Sequence, residues 1–141
     1  MKRITLIRGA PGSGKSTLAD KLSREWIVAE VDYSGHEADR YMNDGAGRYK
    51  FDPSRLAECH QLCQQHTCYS MMCGRDEIVV SNTFTKLWEL EPYLVLARMW
   101  GYEIRVVHMM QQHRNVHGVP DDVVARMRAQ YEPYEGELKW L

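Results

Sequence analysis

Several features that would steer a reading are missing from this sequence. No apolar run is long enough to span a membrane, and the stretch after Met1 is too short for a signal-peptide core, so a cytoplasmic protein without membrane contact is expected. Neither sign of charge is in excess. The 18 Lys and Arg residues stand against 19 Asp and Glu for a net of -1, which excludes a protein that coats long nucleic acid through a broadly basic surface. Any anion-binding site has to be local. Internal repeats, low-complexity tracts and linkers are also lacking, and 141 residues suffice for one core but not for a catalytic domain plus a second folded module. One domain over 1–141 and no stable protein partner are expected.

Cysteine is confined to one window, at Cys59, Cys63, Cys68 and Cys73. A structural zinc site wants converging ligands with a turn between close pairs, which one continuous helix cannot supply. Leu56, Cys59, Leu62, Cys63, His66, Tyr69 and Cys73 recur in steps of three and four, so the cysteines are read as small residues on the buried stripe of a helix.

What is present is an alternation of strands and helices. ITLI (4–7) reads as a buried strand, and Leu18, Ala19, Leu22 and Trp26 as a helix opening at about Lys15. The second strand has two readings: IVAEV at 27–31 ending at Asp32, or a short strand near 36–38 ending at Asp39. Asp52 before Pro53 predicts the cap of the cysteine-bearing helix, which ends near Gly74. EIVVS (77–81) is a strand, Pro92 is expected in the first turn of a helix that Gly101 terminates, and 104–109 is a further strand. Asp121 and Asp122 open a last helix with Val123, Val124, Met127 and Tyr131 inward. This order predicts an α/β fold, a three-layer α/β/α sandwich around a small, mainly parallel sheet of about four strands. Ligands of such sheets bind beyond the carboxyl ends of the strands.

Residues 9–16, beginning at Gly9 and ending Gly14-Lys15-Ser16, match G-x-x-x-x-G-K-[ST] between a strand and a helix. Glycines let the backbone turn its N–H groups toward phosphate oxygens, and the following helix offers its positive end to the same anion. Gly9, Ala10, Pro11, Gly12, Ser13, Gly14, Lys15, Ser16 and Thr17 are therefore the expected cradle for ATP. Lys15 would reach the β- and γ-phosphates, and the Ser16 hydroxyl would ligate Mg²⁺. One residue type is missing where many P-loop hydrolases have it: EIVVS is followed by Asn82 and Thr83 and no acid. That disfavours a motor- or switch-type hydrolase. A phosphotransferase needs instead a base for the acceptor's hydroxyl proton, and Asp39 and Asp32 are the two candidates.

The succession GAPGSGKST, EADRYM, GRYKFDPSRL, SNTFT with WELEPY, and RNVHGVP resembles P-loop kinases of the polynucleotide 5'-hydroxyl kinase type, in order along residues 9–130. The resemblance implies that Asp39 is the general base, that Asn82 and Thr83 line the acceptor pocket, and that Arg114 is the lid arginine over the phosphates. It implies an acceptor that is a 5'-hydroxyl nucleic acid end. The sequence departs from that pattern at Met42, where such kinases commonly carry an arginine that holds the acceptor's phosphate; Arg40 is the substitute. The lid between Met109 and Pro120 is short, leaving Arg126 and Arg128 as supplementary cations or plain solvated charges. Two other readings remain: a small hydroxyl-bearing substrate in an enclosed pocket, or an ATP-binding module without turnover. An open channel lined by Arg40, Arg48, Lys50 and Lys86 would distinguish the polymer. His36 and His108 are read as structural, and Phe84 and Trp88 as residues able to stack on a base.

Overall fold

The computed structural model describes residues 1–112 and 118–141, so Arg114 lies outside the described residues. The ITLI run forms β1 (Arg3–Arg8), with Ile4 and Leu6 in one core and Ile7 in the other. The same period-two split recurs in β3 (Glu77–Asn82), where Ile78 and Val80 face one way and Val79 the other. A strand covered on both faces reads as an uninterrupted apolar run, which is why these two were plain in the sequence. They pair in parallel at the centre of the sheet, between β2 (Tyr33–His36) on one side and β4 (Glu103–Met109) on the other. Among the described residues five strands run in the order β2-β3-β1-β4-β5, every pairing parallel.

On one face α1 (Lys15–Val28) buries Leu18 and Trp26 against Ile7, Val79, Val107 and Met109. On the other, α2 (Leu56–Met72) and α3 (Leu87–Trp100) cover Ile4, Leu6, Ile78 and Val80 with Cys59, Cys63, Leu90, Tyr93 and Ala97. A shorter helix, α4 (Asp121–Ala129), inserts Val124. The three-layer α/β/α expectation holds. No helix among the described residues is long and apolar enough to cross a membrane.

Four local expectations are corrected. IVAEV is not a strand: α1 runs to Val28, and the edge strand begins only at Tyr33. The fifth strand, β5 (Leu138–Trp140), came from a tail with no pattern, because three exposed residues held by backbone pairing to Val107–Met109 leave no periodic signature. Pro92 lies inside α3, which opens earlier at Leu87, where Glu89 accepts from the Lys86 N–H and Glu132 from the Leu87 N–H. In α2 the buried stripe is Cys59, Cys63, Thr67, Ser70 and Met71, leaving Leu56, Tyr69 and Cys73 exposed. Polar groups share that stripe because each finds a partner: Thr67 Oγ1 donates to the Cys63 carbonyl and Ser70 Oγ bonds His36 Nε2. Among the described residues no three His, Cys, Asp or Glu side chains are grouped to hold a metal.

Candidate active site

The cleft lies where the sheet order predicts it, beyond the carboxyl ends of β1, β2 and β3. Gly9 has no room for a side chain, since a Cβ there would sit 2.3 Å from Ser13 Oγ and 3.1 Å from Met109. Gly12 and Gly14 take left-handed backbone angles, φ 82° and 91°, that other residues adopt only at a cost. The loop closes through Ser13 N–H to the Ala10 carbonyl at 3.1 Å and is anchored by Gly9 N–H to the Thr83 carbonyl at 3.2 Å. No side chain caps α1, so its first N–H groups are left facing the cleft. Lys15 folds back to donate to the Ala10 carbonyl at 3.2 Å, and burial pushes its ammonium down to about 8, still protonated at neutral pH. The nearby carboxylates of Asp39 and Glu37 favour the charged form.

A cavity of about 870 Å³ joins this loop to the end of β2. Lys15, Ser16, Glu37, Asp39, Asn82 and Thr83 all line it, so residues from three separate segments meet there. Asp39 stands in a short 3-10 turn, Ala38–Tyr41, just past β2, with its side chain exposed to the cleft. Asp32 lies elsewhere, paired with Arg75 at 2.6 Å, and is no longer a candidate base. Glu37, which sequence reasoning missed, accepts from Ser16 Oγ at 3.3 Å. Burial pushes its carboxyl up, opposed by Arg40 and the Ser16 hydrogen bond. The only hint in the sequence was its place two residues before Asp39.

Asn82 lines the cavity with its amide already engaged by the protein. Its Oδ1 accepts from Ala38 N–H at 2.9 Å and its Nδ2 donates to Cys63 Sγ at 3.7 Å, so both ends are committed. It holds the backbone immediately before Asp39. Arg40 donates to the Gly35 carbonyl and is not among the lining residues. Nor do Arg48, Lys50 or Lys86 line the cavity. Met42 is fully buried in the core and, with Tyr49, Phe51, Leu56 and Cys59, makes the wall beyond Asp39 apolar. Phe84 is also fully buried, edge-on to Tyr93 at 5.5 Å, and cannot stack on a ligand. Trp88 is exposed. His36 and His108 are structural as expected, the first bonded to Ser34 and Ser70, the second beside Glu137 and Tyr131. Arg128 is braced rather than solvated, donating to the carbonyls of Met110 and Gln111.

The largest surprise is Arg8, at the last position of β1 and fully buried. Its guanidinium donates to the carbonyls of Phe84, Thr85 and Glu132 and pairs with Glu137 at 3.1 Å, with the Tyr131 ring 5.2 Å away. One side chain thereby fastens the segment after β3 and the segment after α4 to the strand that feeds the glycine loop.

The chain matches the model of the AAA domain family over residues 4–134. It belongs to that family. It is 29% identical over 144 residues to human NEDD4-binding protein 2, a match that spans 93% of this chain but 8% of that protein. Among solved structures it resembles the Mycobacterium tuberculosis APS kinase CysC in complex with AMPPNP and APS, with TM-score 0.67 at 15% identity over 98% of this chain and 88% of that one. It also resembles a chain of the Pnkp1/Rnl/Hen1 RNA repair complex, with TM-score 0.64 at 18% identity over 92% of this chain and 43% of that one. These likenesses give the fold, which is P-loop kinase-like.

Proposed function

We propose that the protein is an ATP- and Mg²⁺-dependent phosphotransferase that moves the γ-phosphate of ATP to the 5'-hydroxyl of a nucleic acid. The observation that carries the reading is the meeting of Lys15 and Ser16 with Asp39 in one cavity. The glycine loop offers backbone N–H groups and the Lys15 ammonium to the phosphates. Asp39 takes the proton of the acceptor hydroxyl as its oxygen attacks the γ-phosphorus in line with the departing β-γ bridging oxygen. Charge growing on the phosphoryl oxygens meets groups already in place. Arg114, in the segment before α4, is the proposed lid cation.

The residues fit Mg²⁺. Ser16 Oγ and the Glu37 carboxylate are hard oxygen donors 3.3 Å apart, and Ser81 Oγ, buried and lining the same cavity, has no hydrogen-bond partner among the described residues. Mg²⁺ in such sites takes only one or two protein oxygens and keeps its waters and phosphates, so a full protein cage is not required. When bound, it neutralises charge on the β- and γ-phosphate oxygens. Ser16 is the proposed direct ligand, with Glu37 and Ser81 orienting its waters.

The family resemblance in the sequence and the shared fold with a chain of the RNA repair complex support the nucleic-acid acceptor. A second reading, a small hydroxyl-bearing substrate, is favoured by the apolar wall and by the absence of Arg40, Arg48, Lys50 and Lys86 from the described lining. Incubation with γ-labelled ATP, Mg²⁺ and a panel of 5'-hydroxyl DNA, 5'-hydroxyl RNA and nucleosides separates the readings. Label on oligonucleotides alone supports the first and label on nucleosides alone the second, whereas ATP binding with no transfer leaves an ATP-binding module. Asp39→Asn is expected to lower transfer by roughly 10²- to 10⁴-fold with ATP binding retained. Full activity in that variant removes Asp39 as the base.

A further inference from the structure

A second cavity, of about 100 Å³, lies beside the first turn of α1. Thr17, Lys21, Met109, Gln111 and Trp140 line it. Gly14 and Thr17 line both this cavity and the larger cleft, so the two meet at the phosphate loop. A ligand whose phosphates sit on that loop has one end toward Asp39 and the other toward this second cavity.

Its walls are built rather than incidental. Trp140 belongs to β5, in register with Met109, and its carbonyl accepts from Met110 N–H at 2.8 Å. Gln111 Nε2 donates to the Leu141 carbonyl at 3.1 Å, and Arg128 reaches over from α4 to the Met110 and Gln111 carbonyls at 2.9 and 3.1 Å. Elements distant in sequence therefore fix the backbone that carries the indole. That indole is 43% exposed, and the group over its face is the Lys21 ammonium, 5.8 Å from the ring centroid. A flexible cation resting on an aromatic face yields readily to a flat ring.

The chemistry of the lining selects the ligand. An indole face, a thioether and the aliphatic part of Leu18 offer stacking and dispersion, with an amide and one ammonium at the edge. A sugar would find too few hydrogen-bond partners here. An anion would find a single cation. A planar heteroaromatic ring of purine size matches both the volume and the surface.

We propose that this cavity receives the purine base of the phosphate donor, with Trp140 as its stacking platform. The proposal rests on the reading that the glycine loop binds a nucleoside triphosphate and is independent of what the acceptor is. It places donor-base selection in the last strand of the chain, far in sequence from the loop that takes the phosphates.

The test compares ATP with inorganic tripolyphosphate, which has the phosphates and no base. Binding of each is measured by titration calorimetry in the wild type, Trp140→Ala and Lys15→Ala, and by tryptophan emission in the wild type and Trp140→Phe. Trp140→Ala should weaken ATP by roughly ten- to a hundredfold, the range for losing one base–aromatic stack, and leave tripolyphosphate unchanged. ATP should quench emission in the wild type, and the quench should be lost in Trp140→Phe, a change that keeps a ring in place and so preserves the fold. Equal ATP affinity in Trp140→Ala, or parallel weakening of ATP and tripolyphosphate, overturns the base site while Lys15→Ala still reports on the loop. Failure of the wild type to bind either ligand overturns the donor reading itself.

Discussion

On the donor side of the cleft the contacts that shape the site stay within a few residues. Ser13 N–H reaches Ala10, Leu18 N–H reaches Gly14, and Lys15 Nζ reaches Ala10, while Gly9 N–H to Thr83 and Ser16 Oγ to Glu37 are longer ties. On the acceptor side Asp39 is set through its neighbour Ala38, whose N–H donates to Asn82 44 positions away, and its wall is drawn from the end of β2, the loop at 49–51 and the start of α2. Local closure makes the first half a cassette that works wherever a strand and a helix flank it. The second half exists only once the sheet has assembled. Arg8 joins the two, since it ends the strand that leads into the cassette and grips the backbone after β3.

Breaking that joint should have the largest effect on stability. Arg8→Met leaves the Glu137 carboxylate and several buried carbonyls without their donor, an expected loss of about 3–5 kcal/mol. Thermal unfolding should show it, and hydrogen exchange should show the backbone at 131–140 losing protection first. Unchanged protection there would mean that the tail is held by β5 pairing alone.

A sharper cut separates the halves without unfolding either. Asn82→Ala removes the acceptor for Ala38 N–H and should lower stability by about 1–3 kcal/mol, since a buried donor is left unpaired. In the kinase reading phosphoryl transfer should fall while ATP affinity stays within about twofold, because the glycine loop does not depend on Asn82. A parallel fall in ATP affinity would show that the two sides are not separable.

The smallest effect is a pH dependence confined to the acceptor side. Burial, helped by Arg40 and His66, pushes His36 down to about 4 from an ordinary 6.5. Between those values the unfolded chain binds a proton that the native protein refuses, so the His36 contribution should lower stability as the pH falls through that window and be flat above about 7. Melting temperatures at pH 7 and pH 5 should differ less in His36→Asn than in the wild type. An equal difference would place the titrating group elsewhere.

The parts legible in the sequence share a physical character. The glycine loop is contiguous, β1 and β3 are buried on both faces, and Asp52 with Pro53 marks a turn through its own next residues, accepting from Ser54 N–H at 3.0 Å. The parts that were not legible depend on partners. The edge strand at Tyr33–His36 has no continuous apolar run, and Asp39 stood out from Asp32 through a family resemblance until the fold tied Asp32 to Arg75. That the Asn82 amide is engaged by Ala38 N–H and Cys63 Sγ was not legible, because a side chain's partners at a strand end are not a sequence property.

What the sequence determined by itself is the α/β order and the phosphate-type loop, because hydrophobic period and glycine spacing act over a few residues. Tertiary structure alone decided that Arg8 is buried, that Glu37 meets Ser16, and that Trp140 stands beside Thr17. Each of these depends on strands brought side by side by crossover helices. No pattern in the chain records which distant side chains a parallel sheet will align.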